Sequence, residues 1–178
     1  SKMQKISKRM DSLAGIITGN VVQDQRNVLA ILEINNIINS KISTEEKIYS
    51  ILKKLTDIFE AEYCVLIKVL NSGSKKYKTY THQKATFQLN NEDNYNQKIV
   101  EKAIKTQTGT YMLDWDNVNI IDSESGEPIL NSVMVEPVIK NKSVKAVLYL
   151  SCSMTQKEYG FNELNFLSAL GDIISPII

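Results

Sequence analysis

The sequence holds one histidine, two cysteines, one tryptophan, three prolines and seven glycines in 178 residues. Each scarcity removes a class of function. The single histidine, His82, has no G-x-S-x-G nucleophile elbow to serve, so a triad built on it is not expected and it reads as a surface or pocket-edge residue. The cysteines, Cys64 and Cys152, form neither a CxxC pair nor a Cys/His cluster, which argues against a zinc site. Both lie in predicted strands among apolar residues, where a thiol is ordinary core material. The few glycines assemble neither G-x-x-x-x-G-K-[ST] nor G-x-G-x-x-G, so no phosphate-cradling loop is present. Proline and glycine are also too few for a disordered chain.

Charge and hydropathy exclude further partners. Lysine and arginine number 21 against 20 acidic residues, a net charge of +1. Nucleic acid needs a concentrated basic face, and this balance supplies none. No apolar run approaches the length that spans a bilayer, and the N-terminus lacks the apolar core of a signal peptide. The expectation is a cytoplasmic chain with no membrane segment and no nucleic acid as a partner of this domain. Its length suits a single domain with a sizeable core.

What is present is strong patterning, centred on Ser132 to Ser151. Val133, Val135, Pro137 and Ile139 alternate with Met134, Glu136 and Val138, the period of a strand with one face in a core. Lys140-Asn141-Lys142 turns the chain, with Asn141 suited to the left-handed backbone of a tight hairpin. Val144 to Leu150 is an apolar return strand. This hairpin is predicted to be the centre of a sheet.

The other elements read as follows. Met3, Ile6, Met10, Leu13 and Ile17 are spaced three and four apart, as in a short coiled coil. From Val21 a helix follows with Val28, Ile31, Leu32, Ile34, Ile37 and Ile38. Ser43 and Glu46 form a capping box opening a helix that buries Ile48, Ile51, Leu52, Leu55, Ile58 and Phe59. Strands are predicted at Tyr63 to Leu70, Tyr77 to His82 and Thr110 to Leu113, with a helix over Gln97 to Thr106. Asp114 to Leu130 reads as an acidic loop without the EF-hand spacing, so no metal is assigned to it. The closing helix is expected to have Asn162 as its N-cap and a hydrophobic staple between Phe161 and Phe166. It should fray or kink at Pro176.

Three of these pieces, in order and spacing, resemble the GAF domain of bacterial signalling proteins. They are the Ser132–Ser151 hairpin, the helix at Ile99 to Ile104 followed by Thr108-Gly109-Thr110 and Asp114, and Phe161-Asn162-Glu163-Leu164 with Leu167. The likeness covers residues 44 to 175, with Ala146 where that family usually has glycine. It implies an α/β (α+β) fold, a GAF/PAS-like central antiparallel sheet with helices on both faces. Residues 1–40 would be an N-terminal coiled-coil-like helix for signalling and dimerisation, and 41–178 the GAF domain.

The resemblance implies a regulatory role without catalysis. The domain would bind a small molecule, or relay conformational change through its helices to an output module elsewhere in a longer chain. The alternative is a ligand-free structural homodimerisation module, with Tyr80, Tyr95 and Trp115 closing the pocket. A homodimer through the N-terminal and closing helices is expected in either case. Bilin attachment in this family uses Cys followed by His; here Val65 follows Cys64 and Ser153 follows Cys152. Phe161 and Glu163 only echo the cyclic-nucleotide signature. Its catalytic members use loop cysteines, unlike these strand cysteines. No cofactor is therefore named. A pocket between the sheet and the middle segment would draw Tyr80, His82 and Phe87 from one side, and Tyr95, Tyr111, Asp114 and Trp115 from the other. The helical pattern running to both ends suggests a segment of a longer chain.

Overall fold

In a computed structural model of the chain, residues 15–84, 95–118 and 120–178 are described. Helix α1 (Val21–Ile38) and α2 (Thr44–Ile58) lead into strands β1 (Tyr63–Val69) and β2 (Tyr77–Gln83). Helix α3 (Gln97–Thr106), strand β3 (Thr110–Asp114), the two short strands β4 (Ile120–Ile121) and β5 (Pro128–Ile129), and the hairpin β6 (Asn131–Lys140) and β7 (Ser143–Ser153) follow. Helix α4 (Phe161–Ile174) closes the fold and passes into a 3-10 turn at Ser175–Ile177.

The main sheet is antiparallel, in the order β2-β1-β7-β6-β3. The hairpin therefore occupies its centre, as the alternation predicts. Its loop is two residues, with Lys140 opposite Ser143. Asn141 and Lys142 both take left-handed backbone, φ 54° and 64°, which matches the twist of the flanking strands. A register shift beside Val138 and Ile139 leaves Lys145 as the extra residue of a bulge on β7.

Strand alternation divides the core in two. Cys64, Leu66, Met134, Val138, Leu148 and Leu150 face α1, α2 and α4, meeting Ala30, Ile34, Leu52, Leu55 and Leu167. Val65, Ile67, Val133, Val135, Val147 and Tyr149 face the other way, against Ile99, Val100 and Ala103 of α3. Each fully buried Leu or Ile here contributes about 1.5–3 kcal/mol relative to exposure. Helices thus cover both faces, and the N-terminal and closing helices share one of them. Ile34 is fully buried, so α1 shares the core of the residues that follow it.

Local signals explain the element ends. Ser43 Oγ accepts from Glu46 N at 3.2 Å while Glu46 Oε2 accepts from Ser43 N at 3.1 Å, forming the expected capping box. Asn96 Oδ1 accepts from Lys98 N and Ile99 N at the start of α3. Three readings need correction. Helix α4 begins at Phe161 with Gly160 as its N-cap, two residues earlier than the expected Asn162 cap, and Glu163 Oε2 accepts from Gly160 N at 3.1 Å. Phe161 is 64% exposed, so it makes no staple with buried Phe166. The acidic loop contains the β4–β5 hairpin, whose turn is held by Asp122 accepting from the backbone N and hydroxyl of Ser125. At Pro176 the α-helix gives way to the 3-10 turn.

Candidate functional site

The α3 face carries a polar cluster built on buried Asn96 and Asp114 at the end of the sheet. Tyr149 of β7 is buried beneath two other tyrosines, with ring centroids 6.3 Å from Tyr63 and 5.9 Å from Tyr95. Its hydroxyl accepts from Asn96 N at 3.2 Å. Burial pushes this phenol well above its ordinary range, with Asp114 and Tyr63 adding to the rise and the Asn96 bond opposing it. Asp114, at the end of β3, is buried, and its oxygens are occupied. Oδ1 accepts from Asn96 Nδ2 and from Asp116 N, each at 3.0 Å, and Oδ2 accepts from Asn117 Nδ2 at 3.0 Å. Asn96 Nδ2 also donates to Asp116 Oδ2 at 3.0 Å. A carboxylate with three donors in place is a clamp between β3 and the start of α3. Among the described residues, no group of three or more His, Cys, Asp or Glu is placed to hold a metal.

The residues expected to line one pocket are divided by the sheet. Tyr80 pairs with Leu66 and His82 with Cys64, so both face α2. Tyr80 meets Tyr49 of α2 edge-on, centroids 5.6 Å apart, and lies under the Lys78 ammonium. Tyr111 pairs with Met134 and belongs to the same side, 43% exposed. Tyr95 and Asp114 lie on the opposite face, where they join the cluster around Asn96. Trp115 is 69% exposed. Phe87 lies outside the described residues. The physical reason is the two-residue period of a strand: equal proximity in sequence does not say which face a side chain takes. Tyr80, Tyr95 and Trp115 therefore do not close one pocket together.

Sequence reasoning passed over Asn96, Tyr149 and Tyr159. An Asn directly before an amphipathic helix was the available signal for Asn96. Tyr159 had none, because its role depends on a contact with residue 59. Its hydroxyl donates to Phe59 O at 3.1 Å, and its backbone N donates to Ser132 Oγ at 2.8 Å. The two cysteines are buried and free on the same side of the sheet. Burial pushes both thiols up, which keeps them protonated and poorly nucleophilic.

The outer side of α1 is apolar and uncovered. Val21, Val28, Leu29 and Leu32 are each at least 50% exposed. With Asp24 and Gln25 they line a shallow groove of about 440 Å³. Ile31, expected in the same stripe, instead packs against the core.

A five-stranded antiparallel sheet with a central hairpin, α1, α2 and α4 on one face and α3 on the other is the arrangement of solved GAF domains, and this chain has the GAF fold. The GAF domain of a phosphoenolpyruvate-protein phosphotransferase from Coxiella burnetii matches with a TM-score of 0.60 at 12% identity, over 85% of this chain and 92% of that one. The corresponding domain from Acinetobacter gives 0.58 at 13% identity, over 89% and 93%. A phycoerythrobilin-bound GAF domain from a cyanobacterial phytochrome gives 0.58 at 12%, over 86% and 94%. No protein-family profile and no curated protein matches the sequence itself.

Proposed function

We propose that this domain is a non-catalytic regulatory sensor module of a larger, cytoplasmic signalling protein. It self-associates through α1, and a small molecule or a neighbouring domain sets the state that α1 and α4 pass to an output module elsewhere in the chain. The observation that carries this reading is the outward row of Val21, Val28 and Leu32 on a helix whose other side packs beside α4. With Gln25, these residues have the spacing of a two-helix seam, and a second copy of the same row is the matching apolar surface. Solved domains of this fold from phosphotransferase and phytochrome proteins are in keeping with a signalling role. A ligand would act by favouring one packing of the helices over another.

The test is sedimentation of the intact chain and of Val28→Glu/Leu32→Glu. A dimer that becomes a monomer with an unchanged circular dichroism spectrum supports the reading. An unchanged mass for the variant, or a monomeric parent, overturns self-association through α1.

The tyrosine-filled α3 face favours a second reading, a homodimerisation module without a ligand. Native mass spectrometry separates the two. A retained small molecule supports the sensor; a bare dimer whose melting temperature no compound raises supports the structural module.

A further inference from the structure

A second cavity lies on the opposite side of the sheet from the tyrosine cluster. It is a cleft of about 570 Å³ between α1, the C-terminal end of α2 and the start of α4. That volume falls within the roughly 300–1,000 Å³ range of small-molecule sites. Its inner wall is apolar: Ala30, Phe59 and Phe166 are buried, and the two phenylalanine rings lie 5.8 Å apart at 52°.

Much of the polar lining is committed to the fold. Lys157 pairs with Glu60 at 3.3 Å. Glu163 holds Gly160 N at 3.1 Å. Buried Asn27 accepts from Gln23 Nε2 at 2.9 Å and donates to Ile16 O at 2.9 Å. Two charged groups on the lining are not so committed. Arg26 of α1 and Asp57 of α2 line the same cleft with opposite charges, and neither forms an ion pair with any other described residue. Both side chains are exposed to solvent while lining the cleft. A guanidinium recognises a carboxylate through paired donors, and a carboxylate recognises an ammonium.

We propose that this cleft binds a small zwitterion with an apolar body, the class of a free aromatic or aliphatic α-amino acid. The ligand carboxylate meets Arg26, its ammonium meets Asp57, and its side chain lies against Phe59 and Phe166. Such a ligand ties α1 to α2 and α4. The site does not depend on self-association, because the outward row of α1 is on the other side of that helix from Ala30.

Isothermal titration of the full chain with L-phenylalanine and L-leucine tests this. Saturable binding is expected with at least one of them. Arg26→Gln and Asp57→Asn should each weaken it tenfold or more while leaving the melting temperature of the free protein unchanged, since both side chains are exposed. Hydrocinnamate and phenethylamine, which each carry only one of the two charges, should bind at least tenfold more weakly than L-phenylalanine. Absence of saturable binding by both amino acids overturns the proposal, as does binding that both substitutions leave intact. Sedimentation of the same samples reports on α1 separately, so failure here and failure of self-association are distinguishable.

Discussion

Asn96 and Asp114 are joined by a 3.0 Å hydrogen bond between two buried side chains, one opening α3 and the other ending β3. Asp114→Ala leaves the amides of Asn96 and Asn117 and the backbone N of Asp116 each short of an acceptor, and of these the Asn96 amide is buried. The expected loss is about 1–3 kcal/mol of unfolding free energy. Urea denaturation measures it. A change within experimental error would mean that the carboxylate is replaced by solvent at no cost, and the clamp would be lost as an explanation.

Gly109 precedes β3 and sits against Glu136. A Cβ placed there collides with the Glu136 carboxylate and comes within 3.0 Å of Val135 O. Gly109→Ala should therefore destabilise by about 1–3 kcal/mol, the usual range for overpacking. Combining it with Glu136→Ala removes one of the two obstacles, so the double variant should fall short of the summed single effects. Strict additivity would show that the carboxylate yields freely and that the backbone contact alone matters.

The hairpin, the Ser43 capping box and helix α3 were legible in the sequence because each rests on local chemistry: a period, a cap or a turn residue. The assignment of side chains to sheet faces was less so. Tyr80 and Tyr95 look alike as aromatic residues between apolar runs, yet the register Leu66↔Tyr80 places one under α2 while the other packs on Tyr149. Exposed Trp115 and inward Ile31 have the same lesson, since burial is decided by partners remote in sequence. The cleft beside Arg26 draws on residues 18 to 166, and no sequence window contains it.

Tyr159 shows how one such remote contact finishes a helix. Its hydroxyl supplies a donor to Phe59 O, one of the carbonyls that α2 leaves open at its C-terminal end. Tyr159→Phe keeps the ring and removes the donor. A loss of about 1–2 kcal/mol is expected, with the circular dichroism spectrum unchanged. Equal stability in chemical denaturation would mean that the carbonyl finds another donor.

Glu136 gives the domain a pH response whose sign can be worked out. It lies half-buried on β6, paired with Leu148, on the face covered by α4, with its Cγ near Gly171. Burial pushes its carboxyl up from 4.5 to about 7, the Ser168 hydroxyl opposes the rise, and the charge of Asp172 adds to it. In the unfolded chain the same group ionises near its ordinary value. As pH rises from about 4.5 to about 7, the unfolded state gives up this proton while the folded state keeps it, so the group lowers stability through that window and is constant above it. Glu136→Gln removes the titration and retains a polar side chain of similar size. The melting-temperature advantage of the variant over the parent should therefore be larger at about pH 8 than at about pH 5. A difference that is the same at both values would show that the carboxyl ionises normally against α4.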